Sequence, residues 1–252
     1  MTKEPTEGRR VLKDLVSTVP GCFQMHTISD MEKMRFDTFT EKEPETLEWI
    51  KSFNGGTFVD VGANIGIYTM YAAHCRPDMK IYAFEPVRRT YHRLVDNLRL
   101  NHFPNVVPMH LAIANRNCLA EIYVKIEDVA GSGSQIDEPV DEHNGIFIPM
   151  AVEIVAMTSL NALFELAGVL DYIKIDVDGR ESTILGGADV ALLKARSVLV
   201  ECNTDRLPLR SLESFMGKCG LTPDSRFNDL PNHSSTRRKG NPVNVVFSRH
   251  TG

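Results

Sequence analysis

Short apolar runs alternate with segments of helical periodicity from Thr57 onward. Six runs predict strands, at residues 57–61, 80–84, 106–113, 172–177, 198–201 and 243–248. Five segments with apolar positions three and four residues apart predict helices, at residues 66–74, 88–100, 160–167, 183–193 and 209–219. The first, fourth and fifth runs are nearly continuous, as in strands buried on both faces. This alternation predicts an α/β fold with a parallel sheet and helices on both faces.

The regions outside this alternation predict a cap and two loops. Residues 1–54 are predicted to form an N-terminal helical cap, with Pro44 starting a helix over 45–53, packed as one unit with a domain over 55–252. Residues 127–145 carry six acids and a Gly-Ser run without periodicity, which predicts a long loop of the functional or disordered kind. A second loop is predicted over 228–242, its basic residues at 237–239 forming a solvated face.

Composition narrows the class of protein. The 252 residues are 42% hydrophobic and 24% charged, an ordinary globular mixture. A formal charge of -5 argues against a nucleic-acid partner bound through phosphates. Five scattered cysteines without a CxxC pair predict free thiols and no zinc site. No apolar stretch approaches the ~20 residues of a membrane span, and no signal peptide is evident, so we expect a soluble, cytoplasmic protein without a membrane partner.

A glycine turn follows the first predicted strand. Gly62 allows the tight turn and Gly66 a close helix–strand approach, at the carboxyl edge of the sheet where nucleotides bind. Amides at the helix N-terminus are expected to face the ligand. Asn64 and Ile67 replace the second and third glycines of G-x-G-x-x-G, so the cradle for a pyrophosphate is missing.

An acid ends the second predicted strand. Glu85, followed by Pro86, lies about 20 residues beyond Gly62, where an acid accepts hydrogen bonds from ribose hydroxyls. An adenosine without a pyrophosphate fits S-adenosylmethionine, and Asp60 is placed near the methionine ammonium. The alternatives are an ordinary tight turn with a surface acid, a non-catalytic adenosine-binding protein, and a nicotinamide oxidoreductase, for which no catalytic set is found.

Five motifs together resemble the FkbM-type methyltransferases: DVGANIG at 60–66, EP at 85–86, Asn97 with Asn101, IKIDVDGRE at 173–181 and LGGA at 185–188. The resemblance extends from Glu43 to residues 244–247. It implies a class I methyltransferase Rossmann-like sheet with an antiparallel last strand, S-adenosylmethionine binding by residues 55–252, and O-methylation of a sugar, polyketide or other small natural product. The family usually has Glu where this chain has Asp178.

The second acidic motif offers catalytic candidates. Alternation along a strand places Lys174, Asp176 and Asp178 on one face. Lys174 then lies deep in the sheet and needs a partner, which Asp176 or Glu201 can supply. Asp176 lies at the carboxyl edge, facing the same crevice as Gly62.

Methyl transfer to a hydroxyl needs alignment and a proton acceptor. Asp176 is predicted to be this base, or to hold cofactor and acceptor. His143, on the predicted loop, is a rival base, and its alternative is an exposed loop histidine. Asp176 with Asp178 can also hold a divalent cation, but no third carboxylate is suitably spaced, so no metal is predicted.

The predicted cofactor site combines these motifs with two further segments. The adenine is expected near residues 112–115, and Ser132 and Ser134 over the adenosine or acceptor. The residues predicted to bind S-adenosylmethionine are Asp60, Gly62, Ala63, Asn64, Gly66, Glu85, Pro86, Ala112, Ser134 and Asp176. The expected partner is a small-molecule or glycosidic hydroxyl acceptor, with N-methylation as a variant.

Overall fold

The computed structural model describes residues 16–141, 143–237 and 242–249. Within these ranges the strands are β1 (Val16–Val19), β2 (Phe23–His26), β3 (Thr57–Val61), β4 (Lys80–Phe84), β5 (Val106–Met109), β6 (Ala112–Ala114), β7 (Cys118–Val124), β8 (Gln135–Ile136), β9 (Ala151–Ser159), β10 (Tyr172–Ile175), β11 (Ser197–Cys202), β12 (Thr222–Pro223) and β13 (Val243–Ser248). The helices are α1 (Asp30–Lys42), α2 (Pro44–Lys51), α3 (Ile67–Cys75), α4 (Arg88–Asn101), α5 (Leu160–Ala167), α6 (Glu181–Leu185), α7 (Asp189–Leu192), α8 (Leu209–Lys218), α9 (Ser225–Asn228) and α10 (Ser234–Arg237).

A seven-stranded sheet forms the centre, in the order β12-β13-β11-β10-β3-β4-β5. Strands β11, β10, β3, β4 and β5 are parallel, and β13 runs antiparallel to both of its neighbours. The predicted α/β sheet with an antiparallel last strand is therefore confirmed. Chain order reverses between β3 and β10, and the crevice beyond their carboxyl ends is where ligands bind in such sheets.

Successive side chains along a strand point to opposite faces of the sheet. They belong to two apolar clusters, one on each face. Phe58 and Leu199 pack with residues of α2, α3 and α4 on one face. Val59 and Val198 pack with α5, α6, α7 and α8 on the other. Burial on both faces explains why these strands consist of apolar runs without polar alternation.

A smaller sheet, in the order β6-β9-β7-β8, lies between β5 and α5 in the chain. The predicted strand 106–113 is divided, because β5 joins the central sheet whereas β6 pairs with β9. The predicted loop 127–145 joins β7 to β9 and contains the short strand β8. The predicted helix 183–193 is likewise divided into α6 and α7.

The N-terminal region differs from the helical prediction. Residues 16–26 form a β-hairpin of β1 and β2, and only α1 and α2 are helical in the described part of the cap. The hairpin is held by α4: Asn97 accepts a hydrogen bond from the His26 amide at 2.9 Å, and Asn101 accepts one from the Gln24 amide at 2.7 Å. Residues 1–15 and 238–241, which include part of the predicted cap and of the basic run, lie outside the described residues. The division at residue 54 stays a prediction.

Candidate active site

A cavity opens at the carboxyl ends of β3, β4 and β10. Its lining comes from the β3–α3 turn, the residues after β4, the start of β6, the loop before β8, and the ends of β10 and β11. The cavity therefore lies where the order of the strands in the sheet reverses, between β3 and β10, as is usual in such folds.

Gly62 brings two strand ends into contact. Its φ is +82°, and a Cβ placed there would lie 1.9 Å from the backbone oxygen of Asp176. Only glycine allows β3 and β10 to approach this closely. Gly66, with φ +89°, has a different neighbour from the one predicted: a Cβ there would meet Leu94 of α4 at 2.4 Å. The tight packing at Gly66 is thus between the turn and a neighbouring helix.

Three amides of the turn are hydrogen-bonded within the protein. The Gly62 and Ala63 amides donate to the carbonyl oxygen of Phe84 at 3.0 and 2.9 Å. The Asn64 amide donates to Glu85 Oε2 at 3.0 Å. These three hydrogen bonds fix the course of the turn beside the cavity.

Glu85 is a buried carboxyl group that lines the cavity. It is 5% exposed and accepts hydrogen bonds from the amides of Asn64 and Val87 at 3.0 and 2.9 Å. Each of its oxygens keeps further acceptor capacity. Burial raises the pKa of Glu85 to about 7, so its charge changes near neutral pH.

The residues around Glu85 fit an adenosine. Phe84, Pro86, Leu111, Ala112 and Ile113 contribute apolar groups to the lining of the same cavity. An apolar lining suits a base, and a buried carboxylate can accept from two neighbouring hydroxyls of a ribose. The donor and acceptor chemistry of this end of the cavity therefore matches the nucleoside part of S-adenosylmethionine.

A buried ion pair marks the opposite end of the cavity. Lys174 Nζ lies 2.5 Å from Asp176 Oδ2, and the lysine is 1% exposed whereas the Asp176 side chain is 23% exposed. The structure thus pairs Lys174 with Asp176. Although burial favours the neutral acid, the Lys174 ammonium holds the pKa of Asp176 well below its ordinary value. The contact with Lys174 thus favours the ionised form of Asp176.

Further carboxyl groups surround this pair. Asp60 accepts a hydrogen bond from Thr69 Oγ1 at 2.5 Å, and its Oδ1 has no partner among the described residues. Burial raises the pKa of Asp60, against the opposing effect of Lys174. Glu43 pairs with Lys42 Nζ at 2.8 Å. The Lys174 ammonium therefore lies within a buried cluster of acids.

The predicted flexible loop forms the roof of the cavity. Residues 131–134 line it, and the Gly133 amide donates to Asp178 Oδ2 at 2.7 Å. Arg180 fastens the roof at β8 through Gln135 Oε1 and the Ile136 carbonyl, at 3.0 and 2.5 Å. β10 ends at Ile175, and Asp178 beyond it has a φ of +54°. Asp178 therefore does not continue the alternation of strand side chains that the sequence predicted.

The structure brings most predicted site residues together. Those lining the cavity are Gly62, Asn64, Glu85, Pro86, Ala112, Ser132, Ser134 and Asp176. Ala63 and Gly66 belong to the turn and Asp60 to β3, and none of the three is among the described residues that line the cavity. His143 is exposed on the loop and likewise does not line the cavity.

Four charged residues that line the cavity escaped the sequence prediction of the site: Arg35, Lys42, Arg180 and Glu201. Arg35 and Lys42 belong to α1, and no local motif in the sequence indicates that this helix reaches the cavity. Glu201 was considered only as a partner for Lys174. Its position at the end of a buried strand beside Asp176 is the signal that could have identified it.

Two kinds of feature are absent from residues 16–141, 143–237 and 242–249. No helix there is long and apolar enough to cross a membrane. Within the same ranges, no group of three or more His, Cys, Asp or Glu side chains is arranged to hold a metal ion.

Comparisons with known proteins agree with the fold and site. The sequence profile of the methyltransferase FkbM domain matches residues 60–220. The chain is 29% identical over 175 residues to methyltransferase sdnD of Sordaria araneosa, an alignment covering 57% of this chain and 64% of that protein. The chain thus spans less than two thirds of this relative's length.

Solved structures of similar fold include two proteins from Methanococcus jannaschii. The fibrillarin pre-rRNA processing protein is 12% identical with a TM-score of 0.49, over 100% of this chain and 89% of that chain. TYW2 in complex with AdoMet is 16% identical with a TM-score of 0.45, over 93% and 86%.

The strand order and the cavity at the carboxyl edge of the sheet are those of the class I methyltransferase fold. The profile match covers more than half of the chain. This chain belongs to the FkbM methyltransferase family.

The raised pKa of Glu85 predicts a pH-dependent cofactor affinity. Ribose hydroxyls are expected to donate hydrogen bonds to the ionised Glu85 carboxylate. The affinity for S-adenosylmethionine is therefore expected to be highest above the pKa of about 7 and to fall as the pH decreases through this value. Glu85→Gln is expected to weaken binding at alkaline pH by about 1.5–3 kcal/mol, the scale of hydrogen bonds to a charged group, and to remove the pH dependence. Calorimetric titration of both proteins across this range measures the effect. Equal affinities at every pH would place the ribose elsewhere.

Proposed function

We propose that this protein transfers the methyl group of S-adenosylmethionine to a hydroxyl oxygen of a small acceptor of the sugar, polyketide or related natural-product kind. The observation that carries the proposal is the Asp176 carboxyl group, which lines the cavity with its side chain 23% exposed and pairs with Lys174 Nζ at 2.5 Å. A carboxylate at this position can accept the proton that a hydroxyl loses on methylation.

S-adenosylmethionine, when bound, supplies a methyl group attached to a positively charged sulfur. Glu85 would hold the ribose, and the Gly62 turn would set the depth of the site. Asp176 would accept a hydrogen bond from the acceptor hydroxyl and orient it for reaction. Methyl transfer would form a C–O bond to the acceptor and break the S–C bond, leaving S-adenosylhomocysteine. The hydroxyl proton becomes strongly acidic as its oxygen is alkylated, so the weakly basic Asp176 carboxylate would be sufficient to accept it.

The surroundings of Asp176 suit this role. Lys174 keeps the carboxylate ionised and limits its rotation through the 2.5 Å contact. Residues 131–134 line the same cavity, and Arg180 fastens the adjoining strand β8 through Gln135 Oε1. Lys42 lines the same end of the cavity and adds a polar group that can contact the acceptor.

Mass spectrometry with trideuteromethyl-labelled S-adenosylmethionine tests the proposal. The purified protein is incubated with panels of sugars, polyketides and matched amines, and products carrying the label are fragmented to locate it. We expect the label on a hydroxyl oxygen. Label only on nitrogen would replace the hydroxyl acceptor by an amine, and cofactor binding without any transfer would favour a non-catalytic binding protein. A His143→Ala variant run in parallel is expected to keep its activity, whereas its inactivation would move the base to the loop.

A further inference from the structure

Two carboxyl groups meet at the ends of neighbouring strands. Ile175 of β10 is opposite Val200 of β11 in the parallel ladder, so the residues that follow, Asp176 and Glu201, come side by side at the carboxyl edge. Both line the cavity, and their side chains are hydrogen-bonded to each other. Glu201 is buried, with 8% of its surface exposed.

This contact requires a proton. Ionised carboxylates are acceptors only, so a hydrogen bond between two carboxyl groups needs one of them to be protonated. Lys174 Nζ lies 2.5 Å from Asp176 Oδ2, which favours charge on Asp176. Among the described residues no lysine, arginine or histidine forms an ion pair with Glu201. These contacts favour the proton on Glu201.

The charges around Glu201 favour the same assignment. The groups that face it are Lys174, Asp176 and Asp178 from β10 and its turn, Lys42 and Glu43 from the α1–α2 junction, Asp60 from β3 and the neutral Asn244 from β13. Two ammonium groups are thus set among several carboxyls. Burial, followed by the neighbouring charge of Asp176, raises the pKa of Glu201 well above its ordinary value.

We propose that Glu201 is a positioning residue for methyl transfer: as a neutral carboxylic acid it donates a hydrogen bond to Asp176 and holds that carboxylate toward the acceptor hydroxyl. This inference rests on the proposed function. Lys174 and Glu201 approach Asp176 from its own strand and from the neighbouring one, so together they fix its orientation. Ionisation of Glu201 removes the donated hydrogen bond and sets two negative carboxyls against each other.

Two substitutions at Glu201 separate hydrogen bonding from packing. The Glu201→Gln side chain still donates an N–H to Asp176 but cannot ionise, whereas Glu201→Leu fills a similar volume without a donor. At neutral pH we expect the glutamine to rescue turnover to within a few-fold of the wild type, and the leucine to lower kcat by about tenfold to a hundredfold, the scale of a lost hydrogen bond to a charged group.

The pH profile supplies the readout that packing alone would not change. Wild-type kcat is expected to fall on the alkaline side as Glu201 ionises, and Glu201→Gln is expected to lack this decline. The proposal would be overturned by an equal loss of kcat in the Glu201→Gln and Glu201→Leu proteins. It would also be overturned if kcat of the Glu201→Gln protein fell at alkaline pH as in the wild type.

An infrared measurement tests the location of the proton without an acceptor. Because the pKa values of Glu85 and Glu181 are raised to about 7, spectra are taken well above that pH, where both are ionised. The wild-type minus Glu201→Gln difference is expected to contain the carbonyl band of a protonated carboxylic acid, and the difference for the exposed Glu121→Gln control is not. The absence of this band would overturn the proposal, whichever acceptor the enzyme uses. A protein that shows the band and binds S-adenosylmethionine but transfers no methyl group would disprove the proposed function and, with it, the positioning role.

Discussion

A Gly62→Val protein is expected to show no measurable binding at S-adenosylmethionine concentrations that saturate the wild type. A Cβ at Gly62 would lie 1.9 Å from the backbone oxygen of Asp176, and a backbone atom cannot move aside as a flexible side chain does. The ends of β3 and β10 must therefore separate, which displaces the turn and Asp176 together. Both ends of the cavity lose their geometry through one substitution.

Gly168 provides a matched control for this prediction. It has the same φ of +82°, but a Cβ there meets no atom within 4 Å. Gly168 has ψ -150°, so Gly168→Val carries the strain of a backbone region that is essentially restricted to glycine, on the order of 1–3 kcal/mol, without the clash. We expect it to bind the cofactor as the wild type does. Calorimetric titration of both variants, with circular dichroism to confirm folding, makes the comparison, and equal binding would show that the contact between the strand ends does not shape the site.

Asp176→Asn is expected to lower turnover by ~10²- to 10⁴-fold, as is typical of the loss of a general base, with cofactor affinity unchanged. Asparagine keeps the shape of the side chain but cannot take the acceptor's proton or neutralise Lys174. Thermal unfolding is expected to occur at a lower temperature, because a lysine only 1% exposed loses its nearest counter-charge. Steady-state kinetics, cofactor titration and a melting curve separate these effects.

The Lys125–Asp141 pair supplies the control for Asp176. Its N–O distance is 2.9 Å, but neither residue lines the cavity within the described part of the chain. Asp141→Asn thus breaks a comparable ion pair away from the reacting groups, and turnover is expected to persist. If Asp176→Asn lowered affinity and turnover by the same factor, Asp176 would be a holder of the cofactor. If the asparagine protein turned over as the wild type does, Asp176 would have neither role.

The central strands were predictable because their apolar runs are long and their burial is complete. Residues 57–61, 80–84 and 243–248 are strands with the predicted bounds. The N-terminal hairpin and the strands β7 and β9 were not predicted. In β9, Val152 and Ile154 are exposed although they are large and apolar, so the sequence does not alternate as a half-buried strand should.

The sequence alone determined the sheet, the glycine turn and the two acids, Glu85 and Asp176, that stand at strand ends, because each depends on local periodicity and on where a strand stops. Only the tertiary structure decided which groups meet there. It placed Arg35 and Lys42 of α1 on the cavity, directed the turn amides to Phe84 and Glu85, and set Glu201 against Asp176. These contacts join residues far apart in the chain, and the packing of whole elements fixes them, so no local pattern of residues encodes them.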